Sequence, residues 1–145
     1  MGLQELFEMA IKGAEENFNQ NGSVAQVALA STKRGQNLVV VCGWANQRER
    51  AGTIAVLKSL FREQQVTCYA LISEVWTLAH EDRRPGVMPS DSERREEAVV
   101  VIATDGKTKL FSQKKIERPF DGPAKLVDPD IKPDGLEGDL FDLLE

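Results

Sequence analysis

The chain has little of what most small-enzyme chemistry requires. Its 145 residues include one histidine, His80, two cysteines, Cys42 and Cys68, and one tyrosine. No GxSxG, GxxxxGK[ST] or GxGxxG pattern occurs, which removes the nucleophile elbow, the phosphate loop and the dinucleotide fingerprint. HExxH, CxxC and EF-hand spacings are also missing. A Ser-His-Asp set assembled from Ser73 or Ser90, His80 and Asp82 carries no weight, because almost any chain contains such residues. No apolar run approaches the ~20 residues that span a bilayer, so no membrane contact is expected. The N-terminus shows no charged region followed by an apolar core. A cytoplasmic address with reduced thiols is therefore expected. Asn21-Gly22-Ser23 matches a glycosylation sequon but reads as a turn.

Charge of one sign is scarce in the body and concentrated in the tail. Residues 1–120 hold 16 Lys and Arg against 15 Asp and Glu, whereas residues 121–145 hold two lysines against eight acids. A near-neutral body offers no electrostatic footprint for nucleic acid, and an acidic tail repels it. Basic protein partners fit the tail better.

What is present reads as one α+β domain over residues 1–118, followed by a Pro/Asp-rich tail over 119–145. Leu3, Leu6, Phe7, Ala10, Ile11, Ala14 and Phe18 recur at helical spacing, and Asn21-Gly22 supplies a stop. Two strand-like runs follow, Val24–Ser31 and Asn37–Trp44, joined by a short glycine-containing loop. Asn46 with Glu49 opens a second helix running to about Gln64. Its Gly52 costs ~1 kcal/mol relative to alanine and suggests a close packing contact. The run from Val66 to Ala79 is apolar on both alternating faces, which places it inside a sheet. Two further strands, Glu96–Thr104 and Thr108–Ile116, meet at the hairpin signal Asp105-Gly106. The order is α-β-β-α-β-β-β. The expected architecture is a single mixed five-stranded sheet with the two helices packed mainly on one face and an extended C-terminal tail.

Glu74 interrupts the apolar run. If buried beside Ile72 and Trp76, it would have a raised pKa and suit general acid/base work. A paired carboxylate, or one at the strand's solvated end, is the favoured reading, since buried carboxylates are normally paired. His80-Glu81-Asp82 with Glu74 and Asp91 is a weak candidate for a hard divalent ion. A zinc site would require Cys42 and Cys68 to point at one place. Neither a metal nor a cofactor is expected. Arg83, Arg84, Arg94 and Arg95 bracket a long loop and can clamp a phosphate or carboxylate, although the acids within the same loop can neutralise them.

The tail carries the more functional pattern. Residues 134–145 alternate acids with large apolar side chains. Leu136, Leu140, Leu143 and Leu144 fall on one helical face, with Phe141 beside them. Such a segment docks into a basic-rimmed groove of a partner, or packs on its own domain or on a second subunit. The expected function is a small non-enzymatic cytoplasmic binding or adaptor protein. Its contacts run through the tail anchors Leu140, Phe141 and Leu144 and through the 80–95 loop, with a protein partner or a homodimer on the other side. The alternative is a small hydrolase acting on an anionic substrate, with Glu74 as acid/base, His80 assisting and the loop arginines binding substrate.

Overall fold

Apolar spacing makes the first helix. In α1, Leu3–Asn21, Leu6, Ala10, Ala14 and Phe18 recur four apart and are all buried. Gly22 ends the helix at φ 72°, and its N–H donates to the Phe18 carbonyl at 2.7 Å. The chain then forms β1, Val27–Thr32, and β2, Asn37–Val41. Helix α2, Gln47–Glu63, is capped by Asn46, whose Oδ1 accepts the Glu49 N–H at 2.9 Å. Strands β3, Val66–Thr77, β4, Glu96–Thr104, β5, Lys109–Glu117, and β6, Lys125–Val127, complete the order. This computed structural model describes residues 2–44, 46–77, 96–128 and 141–144.

The strands build one sheet in the order β2-β1-β3-β4-β5-β6, and every hydrogen-bonded pair is antiparallel. The α+β class stands, with three corrections to the expected architecture. Among the described residues the sheet has six strands rather than five, because Lys125–Val127 in the stretch read as tail pairs with β5. It is not mixed. The α2 crossover joins β2 and β3, which run in the same direction, but β1 lies between them and is antiparallel to both. The helices cover opposite faces rather than one.

The alternation of β3 explains that last correction. Cys68, Ala70 and Ile72 pack with Leu6, Ala10, Ala14 and Phe18 of α1, together with Val99, Val101 and Ala103 of β4. Tyr69 and Leu71 point the other way and pack with Leu57 and Phe61 of α2, together with Ile102 of β4. A strand apolar on both faces requires a cover on both faces. Gly52 has no close neighbour among the described residues: a Cβ added there would meet none of them within 4 Å.

Candidate functional site

Part of the second core comes from the far end of the chain. Phe141 is 5 % exposed and Leu143 1 %, and both join the layer formed by α2, Tyr69 and Ile102. Helix α2 presents Leu57, Lys58, Phe61 and Arg62 along one wall, because these positions recur at the three- and four-residue spacings of one helical face. The opposite wall is the end of the β4–β5 hairpin. There Asp105 turns the chain: its carboxylate accepts the N–H groups of Lys107 and Thr108 at 2.9 and 2.8 Å. Those two bonds hold its carboxyl below the usual aspartate range.

The seated segment makes three kinds of contact. Lys109 Nζ stands 5.3 Å from the centre of the Phe141 ring, a cation–π arrangement. The Leu143 N–H donates to the buried Tyr69 hydroxyl at 3.2 Å, and the Tyr69 ring in turn lies 5.1 Å from that of Phe61. Leu144 comes close to the hairpin tip, where a Cβ added to Gly106 would sit 3.9 Å from its Cδ1. Leu143 and Leu144 do not fill the space beside them. A 210 Å³ cleft remains, lined also by Lys58, Phe61, Arg62, Gln65 and Val66. Lys58 and Arg62 give its rim a positive charge, and among the described residues no carboxylate pairs with either.

The sequence-derived candidates fall into different places. Phe141 and Leu144 lie in this groove, the former buried and the latter half-buried. Leu140, His80, Arg83, Arg84, Arg94 and Arg95 lie outside the described residues. Glu74 stands exposed on the α1 side of the sheet, so the buried carboxylate needed for desolvated acid/base chemistry is not what the fold builds. Its Oε1 accepts the Val24 N–H at 2.7 Å, which pins the link between α1 and β1. It lines a 140 Å³ cleft with Val75, Glu97 and Ile116, and Glu97 is paired to Arg118 at 2.7 Å. The two thiols belong to separate cores on opposite faces, Cys68 under α1 and Cys42 under α2. They cannot share a metal. Burial is the main cause raising the pKa of each.

The receiving side of the groove was not among the sequence candidates. Lys58, Arg62 and Lys109 are ordinary surface residues in the sequence, and only the fold brings α2 and the β4–β5 hairpin to one site. Leu143 rather than Leu144 is the more deeply buried anchor. The alternating positions 141 and 143 point to that pattern, whereas helical spacing does not. Leu143 and Leu144 lie in a turn. Comparison with known proteins returned no relative: no protein family, curated protein or solved structure matches this chain.

Proposed function

We propose that this protein is a small non-enzymatic cytoplasmic binding or adaptor protein working through its acidic, apolar C-terminal segment, with the 80–95 loop as a second contact surface. One observation carries the reading: Phe141 and Leu143 seat as anchors in an apolar groove whose rim carries Lys58, Arg62 and Lys109. Apolar anchoring supplies affinity in such an arrangement. The acids around the anchors set orientation and encounter rate more than affinity. Helix-and-groove recognition of short segments works through a few buried side chains of this kind.

The test is association of the full chain against its Phe141→Ala/Leu144→Ala variant, followed by light scattering and by capture from native lysate. Circular dichroism confirms that the variant is folded. Loss or gain of a partner or a dimer in the variant is expected. Identical association of the two proteins would end the reading. Truncation at Asp121 is the poorer test, because it removes β6 and leaves the β5 edge unpaired.

A further inference from the structure

The groove's rim carries cations from two separate elements, α2 and β5, and its described occupant, Phe141–Leu144, carries one acid, Asp142, within a C-terminal sequence that holds eight acids against two lysines over residues 121–145. Each recognition feature selects something different. Lys109 above the ring favours an aromatic side chain at the first position. The Tyr69 hydroxyl takes a backbone N–H two residues later and so fixes register. The slot holding Leu143 accepts an aliphatic side chain. Lys58 and Arg62 line the cleft beside Leu143 and Leu144, in space that the described residues leave open.

We infer that this groove is a receptor site for short acidic peptides of a partner protein that carry an aromatic and an aliphatic residue two positions apart, and that Phe141–Leu144 is its built-in competitor. The inference rests on the binding reading above and adds the partner's chemistry. A segment linked to its own site is present there at an effective concentration on the order of millimolar. A partner peptide in trans therefore meets an occupied groove and binds only by displacement. A partner with more acids following the aliphatic anchor gains contacts at Lys58 and Arg62 that Leu143 and Leu144 do not use.

The probe is a fluorescent peptide with the sequence of residues 138–145, Gly-Asp-Leu-Phe-Asp-Leu-Leu-Glu. It is titrated by anisotropy into the full-length protein, into the full-length Phe141→Asp/Leu143→Asp variant and into that variant with Lys58→Glu/Arg62→Glu added. Saturable binding is expected to be at least about tenfold tighter to the first variant than to the unaltered protein, because the internal competitor is gone. The charge reversal is expected to remove that gain, as is a peptide whose acids are replaced by lysine. No saturable binding to a folded Phe141→Asp/Leu143→Asp protein overturns the inference, as does equal binding of the lysine peptide.

Should that variant fail to fold, amide NMR of the unaltered protein decides. Excess peptide must shift the Leu143 amide and the groove amides saturably, and their failure to move overturns the inference. A negative result here, with association still altered by Phe141→Ala/Leu144→Ala, would leave the binding reading standing and remove only the groove's role in it.

Discussion

Single side chains in this protein act mostly by completing backbone hydrogen bonds. Asp105 bonds two successive N–H groups beyond itself, and Gly106, at φ 90°, supplies the left-handed residue that the turn requires. Because these bonds lower the pKa of Asp105 in the folded protein, its ionised form stabilises the fold. That contribution is complete above the unfolded-state value and is lost as the pH falls through the lower folded value. Asp105→Asn keeps an acceptor but removes the charge. Urea titrations should show the unaltered protein more stable than this variant by a constant margin above roughly pH 5, with the margin shrinking toward zero in more acid solution. A margin independent of pH would refute the role of charge. Tyr69→Phe is a second case: it removes the acceptor of the Leu143 N–H and should cost about 1 kcal/mol, with faster hydrogen exchange at that amide. Asp105-Gly106 is legible in the sequence because a turn is specified locally. The role of Glu74 is not, because its donor, Val24, lies 50 residues away and meets it only through the fold.

At the scale of elements, the helices are set by local signals and the sheet by distant ones. Asn46 caps α2 in the way its spacing to Glu49 suggests, and Asn46→Ala should cost about 1 kcal/mol. Gly52 lies inside that helix with no described residue within 4 Å of where a Cβ would stand, and Gly13 of α1 is equally open. Neither is required by a close approach, so Gly13→Ala and Gly52→Ala should each stabilise the protein by about 0.5–1 kcal/mol. Thermal unfolding of the two single variants checks this, and a lowered midpoint in either would expose a packing role that the open space does not suggest. Both helices, and the strands from Val66 and Glu96, are legible because periodicity and caps fall within a few residues. β6 is not, since Lys125-Leu126-Val127 between prolines has no strand signature of its own and is a strand only because β5 offers an edge. The two-sided pattern of β3 also contained the placement of the helices: odd and even residues are both apolar, so each helix takes one face.

Across the whole molecule, β3 is the common wall of two cores, and the free cysteines report on them separately. Cys68 lies near the start of β3, paired with Ser31 of β1 and covered by α1, one residue before the β3–β4 pairing begins at Tyr69. Cys42 follows β2, the edge strand, and its N–H is held by the Gln26 carbonyl at 2.9 Å. Burial raises both thiol pKa values and so lowers the reactive thiolate fraction of each. Their routes to reagent nevertheless differ. An edge strand can open locally, whereas a strand paired on both sides and packed on both faces is released only when the domain unfolds. Single-thiol variants, Cys68→Ser and Cys42→Ser, should therefore label at different rates with an aromatic disulfide near pH 8. Cys42 should react faster and with a weak dependence on denaturant. Cys68 should react slowly, with a rate that follows the global unfolding free energy. Leu143→Ala, which removes apolar volume from the α2-side core and should cost about 2–3 kcal/mol, extends the test. If β3 couples the two layers, this change on one face speeds labelling of Cys68 on the other by the factor the lost stability dictates. If Cys68 labelling is unmoved while stability falls, the layers open independently and β3 does not join them.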